Sequence, residues 1–242
     1  MSNYDWLFKT PIAHRGLHIN KFPENSLGAF ERAIEKGYII ELDVHLLKDG
    51  EIAVFHDDTL SRMTSKSGKI KNLTSEDLKN YNLNNTKFVI PTLDEVLSLI
   101  DGKVPLLIET KTDRKAGKLE RVLLEKLKGY SGKFAIQSFS PFSIKWFKKN
   151  KPEIYCGQLS GGFSNGDENI SKFTKFVLKR MLLNKLIKPD FISYEAKYLP
   201  NKYVDKFKNL PVLAWVVKSE EEEKRVRKFA NNIIFENFEP KK

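Results

Sequence analysis

The chain has 242 residues with a formal net charge of +11, and 40% of its residues are hydrophobic and 12% aromatic. This composition supplies a substantial core and excludes a largely disordered chain. Cys156 is the only cysteine, so an intrachain disulfide is impossible and a reducing compartment is favoured. The N-terminal segment lacks the pattern of a signal peptide, and no apolar run approaches the roughly 18 residues of a membrane span. We therefore expect a soluble cytoplasmic protein without stable membrane insertion.

The positive charge attracts anions, including phosphate esters, nucleic acid and acidic membranes. The lysines are spread along the whole chain, however, and the sequence has no zinc-ligand pattern, no aromatic RNA-binding motif and no basic arm. We therefore expect no nucleic-acid partner. The stretch Ile170–Lys188 is basic and apolar, and it could contact an acidic membrane peripherally. An ordinary barrel helix with outward lysines is the simpler interpretation of this stretch.

Short apolar runs alternate with helical patterns from one end of the chain to the other. The predicted strands are Ile12–Arg15, Tyr38–Val44, Ile52–His56, Val104–Thr110, Phe134–Ser138, Ile154–Gln158, Phe191–Tyr194, Pro211–Val217 and Ile233–Glu236. The predicted helices are Ser26–Lys36, Thr92–Ile100, Lys115–Lys128, Pro141–Asn150, Asn169–Lys188 and Glu220–Ala230. This alternation predicts a parallel sheet with helices outside it, and eight such units close an α/β barrel.

The nine predicted strands exceed the eight of such a barrel by one. Asp49-Gly50 stands between two apolar runs and is a hairpin signal, so Ile52–His56 is predicted to return along its neighbour instead of joining the barrel. Residues Asp57–Val89 are polar and contain only a short amphipathic piece, Ser75–Tyr81. We predict that residues 57–89 are a small insertion within a single domain of residues 1–242.

Clusters of chemically active side chains follow several of the predicted strands, where barrel enzymes carry their catalytic groups. His14-Arg15-Gly16 offers an imidazole for proton transfer and a guanidinium that matches two phosphate oxygens. Phe55-His56-Asp57 supplies a second imidazole. Trp215 could form a wall of a substrate pocket, although core packing explains it equally well. Each cluster alone is weak evidence, because a turn histidine without a function is common.

Carboxylates end two of the predicted strands. Glu41 and Asp43 are two residues apart and therefore share one face of a strand. Two carboxylates placed side by side are unfavourable without a cation, and hard divalent cations take oxygen ligands. A solvated pair on an edge strand is the alternative, which the apolar run before Glu41 disfavours. Glu109 and Lys111 share a face in the same way, and a structural ion pair is the alternative there.

Taken together, these motifs resemble the glycerophosphodiester phosphodiesterase family. The matching segments are IAHRG, PENSLGAFERAIEKG, IELDVHLLKDGEIAVFHDDTLSRMT, SGKIKNLTSEDLK, IPTLDEVL, LLIETK, QSFSP and LAWVV. The similarity is dense between residues 11 and 111 and thinner as far as Trp215. It implies a TIM (β/α)8 barrel of the phospholipase-C-like phosphodiesterase type, with a short insertion after the strand that carries His56.

The resemblance also implies an activity, which is the metal-dependent hydrolysis of glycerophosphodiesters to sn-glycerol 3-phosphate and an alcohol. It makes His14 and His56 the acid–base pair, and it leaves open which histidine is the acid. The ligands of one divalent cation, Ca2+ or Mg2+, would be Glu41, Asp43 and Glu109.

The remaining substrate contacts follow from the same resemblance. Arg15 and Lys111 would contact the phosphate, and Trp215 would contact the substrate. Glu24 is expected to order the loop beside the site, whereas His18 and His45 are expected to be incidental.

The sequence departs from the family pattern in two places near the C-terminus. Val216-Val217-Lys218 stands where the family usually has Thr-Val-Asn, and Phe235-Glu236-Asn237 stands where Thr-Asp or Thr-Asn is usual. Both lie where the alcohol half of a substrate could bind, so the choice of substrate is open. The alternatives are a lysophospholipase D-type phosphodiesterase on the same fold and a non-catalytic phosphate- or lipid-binding protein. The sequence does not define an oligomeric state.

Overall fold

The computed structural model describes residues 4–19, 21–112, 115–162 and 172–241. Its strands are β1 (Ile12–Ala13), β2 (Ile39–Leu46), β3 (Ile52–Val54), β4 (Leu106–Thr110), β5 (Phe134–Ser138), β6 (Cys156–Ser160), β7 (Phe191–Glu195), β8 (Val212–Val217) and β9 (Asn232–Phe235). Eight of them are parallel and run in the order β1-β2-β4-β5-β6-β7-β8-β9, and β9 pairs with β1 to close the barrel. The predicted (β/α)8 barrel is therefore confirmed.

The ninth strand lies outside the barrel, as the sequence predicted. β3 pairs antiparallel with the end of β2, so that Val44 lies opposite Val54 and Leu46 lies opposite Ile52. Gly50 has a φ of 92° in the turn between them, a backbone conformation that glycine adopts without steric cost. β2 consequently continues three residues beyond Asp43.

The helices are α1 (Leu27–Glu35), α2 (Ser61–Thr64), α3 (Leu93–Ile100), α4 (Lys118–Leu127), α5 (Pro141–Asn150), α6 (Lys172–Lys179), α7 (Asn184–Ile187) and α8 (Glu220–Val226). Three of them, α1, α3 and α8, begin at N-cap residues. The side-chain hydroxyls of Ser26, Thr92 and Ser219 each accept a hydrogen bond from a backbone N–H of the first turn. None of the helices in the described ranges is both long enough and apolar enough to cross a membrane.

One predicted helix is wrong in its extent. The segment predicted as Asn169–Lys188 contains two helices, α6 and α7, and its first three residues lie outside the described ranges. The chain turns between them at Met181, which has a φ of 50° and is buried. The left-handed backbone cannot continue a right-handed helix, and the apolar periodicity of the segment does not reveal it.

Residues 57–89 form an excursion from the barrel between β3 and α3. They contain α2 and three short 3-10 helices, Ile70–Asn72, Ser75–Asn80 and Leu83–Asn85, which is more regular structure than the single amphipathic piece that the sequence predicted. Buried side chains from this segment pack together in a separate hydrophobic cluster, which includes Leu60, Met63, Ile70, Leu78 and Leu83. This apolar contact fixes the excursion against the β2–β3 hairpin.

The inside of the barrel is built in layers. Its lower layer is apolar and takes one side chain from each of seven barrel strands: Ile12, Ile39, Leu107, Ala135, Phe191, Leu213 and Ile234. Side chains two residues further along a strand point the same way, so the next layer holds Glu41, Glu109, Gln137, Ser193 and Trp215. Polar side chains therefore occupy the barrel directly above this apolar layer, towards the carboxyl ends of the strands.

Gly157 on β6 is the place where the lower layer leaves no room for another side chain. A Cβ atom at this position would overlap the ring of Phe191. We expect Gly157→Ala to lower the free energy of unfolding by about 1–3 kcal/mol, the usual cost of overpacking. Urea denaturation measures this change.

Gly129→Ala is the matched control, because nothing lies within 4 Å of its added Cβ atom. We expect this control to change the free energy of unfolding by no more than about 0.5 kcal/mol. Equal stability of the two variants would contradict the packing of Phe191 against Gly157.

Candidate active site

Three carboxylates converge inside the barrel. Glu41 and Asp43 lie on β2, and Glu109 lies on β4 directly opposite Asp43 in the strand register. One oxygen from each carboxylate lies within 4.8 Å of the others, and the residues are only 1%, 1% and 7% exposed. Glu41 and Asp43 lie within β2, not at its end as the sequence suggested, because the hairpin extends this strand. Asp43 nevertheless lies near the barrel mouth, because its partner Glu109 is one residue from the end of β4.

Burial and mutual repulsion act on these carboxylates in different ways. Burial raises the pKa of Glu41 well above its usual range, and the nearby Asp43 and Glu109 raise it further. Burial also raises the pKa of Glu109. Burial alone would raise the pKa of Asp43, but Lys111, His56 and Arg15 outweigh it and hold that pKa well below its usual range. The site therefore combines one firmly ionised carboxylate with two for which the ionised form is costly.

Two cations border the carboxylates. The Lys111 ammonium lies 2.9 Å from an Asp43 oxygen and also contacts Glu109. Burial opposes its charge, but these two carboxylates raise the pKa of Lys111 above its ordinary value. The Arg15 guanidinium donates to Glu24 at 2.6 Å and faces Asp43 at 3.4 Å.

Arg15 contributes its backbone as well as its side chain. Its φ of 56° turns the chain sharply after β1, and its backbone N–H donates to Glu41 at 2.9 Å. Gly16 continues the turn with a φ of 81°, and a Cβ atom there would press on the backbone of Ala29 at 2.9 Å. A glycine at position 16 is therefore required by the close approach of this loop to α1.

Each of two imidazoles is held by a carboxylate through its Nδ1 atom. His14 Nδ1 lies 2.7 Å from Glu236, and His56 Nδ1 lies 2.6 Å from Asp57. A carboxylate partner places the proton on Nδ1 and leaves Nε2 with its lone pair. Burial lowers the pKa of His14 to about 4, so its imidazole is neutral at pH 7.

Several residues of this site escaped the sequence analysis. The Asn25 side chain donates to Asp43 at 2.9 Å, and the Gln137 side chain reaches Glu41 at 3.5 Å. His45, expected to be incidental, is buried with its Nε2 atom 3.1 Å from the backbone carbonyl of His56. Asn25 adjoins the Glu24 motif and Gln137 follows an apolar run, so both carried a weak signal.

The acidic partners of the histidines are the larger omission. Glu236 binds His14 from a position 222 residues further along the chain, and no local pattern indicates that pairing. Glu24 binds Arg15, and the Arg62 guanidinium lies 2.7 Å from Glu24 and 2.9 Å from an Asp57 oxygen. Arg62 belongs to the excursion, whose polar sequence gave no indication of a role at the site.

Trp215 contacts an aromatic side chain. Trp215 lies within β8, and its ring meets Phe139 edge to face with the ring centroids 5.5 Å apart. Its indole N–H has no hydrogen-bond partner among the described residues. The other seven residues named from the sequence lie together: His14, Arg15, Glu41, Asp43, His56, Glu109 and Lys111.

Comparison with known proteins identifies the family of the chain. The model of the glycerophosphoryl diester phosphodiesterase family matches residues 14–239. The chain belongs to this family. It is 40% identical over 160 residues to a glycerophosphodiester phosphodiesterase of Caldanaerobacter subterraneus, across 61% of this chain and 65% of that protein. The chain thus spans slightly less than two thirds of the length of that relative.

Solved structures show the same fold. A phosphodiesterase of Oleispira antarctica, in complex with the product sn-glycerol-3-phosphate, has a TM-score of 0.76 and 25% identity, over 93% of this chain and 91% of that one. The glycerophosphodiester phosphodiesterase of Thermotoga maritima has a TM-score of 0.70 and 24% identity, over 93% and 94% of the two chains. This second similarity supports the fold.

Glu41 supplies a test of the electrostatics in protein freed of divalent cations. The pKa of Glu41 in the folded protein lies above the ordinary value of 4.5. The contribution of Glu41 to the free energy of unfolding is therefore fully present below that pH, and it is lost as the pH rises and the buried carboxyl ionises. Glu41→Gln stays neutral, so we expect it to unfold at a higher temperature than the unsubstituted protein at pH 7. The difference should vanish near pH 4, roughly where Glu41 is protonated in both states.

Thermal unfolding followed by circular dichroism at the two pH values checks this expectation. Glu125→Gln, on the exposed face of α4, is the matched control and should change neither melting temperature. A Glu41→Gln variant that is no more stable at pH 7 would contradict the carboxylate crowding.

Proposed function

We propose that the chain is a metal-dependent glycerophosphodiester phosphodiesterase that releases sn-glycerol 3-phosphate and an alcohol. The observation that carries this proposal is the convergence of three buried carboxylates, two cations and two carboxylate-held imidazoles at one barrel mouth. Membership of the family and the product bound to the Oleispira antarctica relative support it. The substrate is a small molecule, and the site faces the C-terminal end of the strands, where barrel enzymes react.

The carboxylate set fits one hard divalent cation, Ca2+ or Mg2+. Glu41, Asp43 and Glu109 offer oxygen atoms only, which is the donor type that both cations prefer. Their burial side by side raises the cost of ionisation, and a cation would remove this cost. When bound, the cation would draw negative charge from the phosphoryl oxygens.

Arg15 and Lys111 are proposed to bind the remaining phosphate oxygens. Both side chains are already oriented by carboxylates, since Glu24 holds one guanidinium nitrogen and Asp43 faces both cations. A side chain that is fixed before the substrate arrives loses little entropy on binding. Positioning and charge stabilisation supply most of the acceleration in phosphoryl transfer.

The histidines are proposed to move the two protons of the reaction. His14 is neutral at pH 7, so its Nε2 atom can take a proton from the nucleophile, which is either water or the neighbouring glycerol hydroxyl. His56 would act in its doubly protonated form, in which Nδ1–H donates to Asp57, and would give its Nε2 proton to the departing alkoxide. Glu236 and Asp57 hold the two rings through Nδ1, so neither ring needs to reorient during the reaction.

The organisation and the location of the protein are part of the same proposal. We infer a single domain of residues 1–242, with residues 57–89 inserted in it and bracing His56 through Asp57 and Arg62. The single cysteine, Cys156, is buried and free, and burial raises the pKa of its thiol, so a reducing compartment such as the cytoplasm suits the chain.

A lipid-linked substrate is the second candidate, and an exposed apolar surface favours it. Phe142, Phe173 and Leu186 are 59%, 76% and 64% exposed on α5, α6 and α7. Lysines alternate with these apolar residues along α6 and α7. Basic and aromatic side chains in this arrangement suit an anionic membrane surface, so lysophospholipid hydrolysis is the activity to compare. Hydrolysis of lysophospholipid alone, with none of glycerophosphocholine, would favour this candidate.

The metal requirement is tested by chelation. Removal of divalent cations should abolish the hydrolysis of glycerophosphocholine, and added Ca2+ or Mg2+ should restore it, with release of glycerol 3-phosphate as the measured signal. Glu109→Gln should weaken cation affinity by about 10–100-fold and leave the protein folded. The exposed Glu125→Gln variant should behave as the unsubstituted protein. Full activity of a verified metal-free sample would contradict the proposal.

The acid–base assignment is tested by alanine variants. His14→Ala and His56→Ala should each lower turnover by about 10²–10⁴-fold, which is the usual contribution of a general acid or base. A nitrophenyl ester, whose alcohol leaves without protonation, should partly rescue His56→Ala and should not rescue His14→Ala. Rescue of the opposite variant would reverse the two roles, and near-normal rates in both variants would refute the assignment.

A further inference from the structure

A second group of metal-binding side chains lies beside His14 at the rim of the barrel. His14, His18 and Glu236 each place one ligand atom within 4.8 Å of the others. This donor set has two imidazoles and one carboxylate, whereas the group formed by Glu41, Asp43 and Glu109 has oxygen atoms only. The two groups therefore differ in the class of cation that they suit.

His18 has no role in the proposed reaction, and its ring is incompletely satisfied. Its Nε2 atom is buried and makes no hydrogen bond within the described part of the chain. It lies 3.6 Å from Glu236 Oε2, beyond hydrogen-bond distance. A buried polar atom without a partner is unfavourable, and in native proteins such an atom often marks a ligand.

The backbone holds all three residues in place. The His14 N–H donates to the carbonyl of Phe235, which ties the end of β1 to the end of β9 beside Glu236. The loop that carries His18 is fixed on both sides, because Leu17 donates to Ala29 and Ile19 exchanges two hydrogen bonds with Phe22. Only side-chain rotations are then needed to bring the three ligand atoms around an ion.

The distances between the ligand atoms bracket the value that the zinc class of cation requires. Ligand atoms around tetrahedral Zn2+ are about 3.3 Å apart, as follows from bonds of roughly 2.0–2.1 Å. The two distances to Glu236 Oε2, 2.7 Å from His14 and 3.6 Å from His18, lie on either side of that value. Imidazole and carboxylate together suit Zn2+, while Ca2+ and Mg2+ prefer oxygen alone.

We propose that His14, His18 and Glu236 form a second metal site, which takes a borderline cation such as Zn2+ and inhibits the enzyme when it is filled. The binding of Zn2+ is independent of the proposed function, and the inhibition rests on it. Coordination through Nδ1 of a neutral His14 moves its single proton to Nε2. The Nε2 atom then has no lone pair, so His14 cannot accept a proton from the nucleophile.

Lys218 tunes this site. Its ammonium lies 2.8 Å from Glu236 Oε1, the oxygen that does not face the histidines, and its side chain is 59% exposed. The ammonium leaves Oε2 of Glu236 free to bind the metal cation, but its own positive charge repels that cation. We therefore expect Lys218→Gln to bind Zn2+ more tightly than the unsubstituted protein.

Binding is measured first, on the full chain with Mg2+ in excess. Titration with Co2+, whose visible absorption bands report tetrahedral coordination by nitrogen, should saturate at one equivalent, and Zn2+ should displace it. His18→Ala and Glu236→Gln should each weaken Zn2+ binding by at least about tenfold. His18→Gln, which keeps a polar side chain of similar reach, is the second variant if alanine unfolds the loop. Glu41→Gln should bind Zn2+ as the unsubstituted protein does.

Inhibition is measured next, with glycerophosphocholine and a fixed concentration of Mg2+. Zn2+ should inhibit the unsubstituted protein, whereas His18→Ala should keep its basal activity and need at least about tenfold more Zn2+ for half inhibition. Unchanged Zn2+ affinity in His18→Ala, or its loss in Glu41→Gln, would overturn the proposal. If no glycerophosphodiester is hydrolysed, the proposed function fails, while the Co2+ titration still decides whether the second site exists.

Discussion

The burial of three carboxylates close together inside the barrel is the constraint on which the rest of the site depends. Beneath them lies an apolar floor that offers no compensation for negative charge. The compensation comes from the strand ends above, where Arg15 and Lys111 supply cations and Asn25 supplies an amide donor. Burial opposes the ionisation of all three carboxylates, and the neighbouring cations outweigh this effect only at Asp43. The site is therefore arranged to receive a further positive charge.

This compensation extends well beyond the carboxylates themselves. Arg15 is held by Glu24, Glu24 is held by Arg62, and Arg62 also holds the Asp57 that positions His56. An alternating chain of acids and bases therefore connects Arg15, the phosphate-binding candidate after β1, to the histidine after β3. Its central member belongs to residues 57–89, so the excursion from the barrel is an integral part of the site through Arg62.

The sequence predicted what short-range patterns determine. Apolar runs and period-two spacing located the barrel strands, and Asp49-Gly50 identified the hairpin that removes β3 from the barrel. Patterns could not show that a buried Met181 adopts a left-handed backbone and divides α6 from α7. Nor could they pair His14 with Glu236 across 222 residues, because that contact exists only in the closed barrel.

The pairing of His14 with Glu236 links the chemistry to the closure of the fold. Glu236 follows β9, the last strand, and the register of β9 on β1 aligns Phe235 with Ala13, the residue before His14. The imidazole therefore acquires its carboxylate only when the two ends of the chain meet. His56, in contrast, takes its partner from the adjacent residue and needs no distant strand. His56 is therefore oriented by local sequence and His14 by tertiary structure. Partial unfolding of β9 would remove the orientation of His14 while the carboxylates on β2 and β4 stay in register.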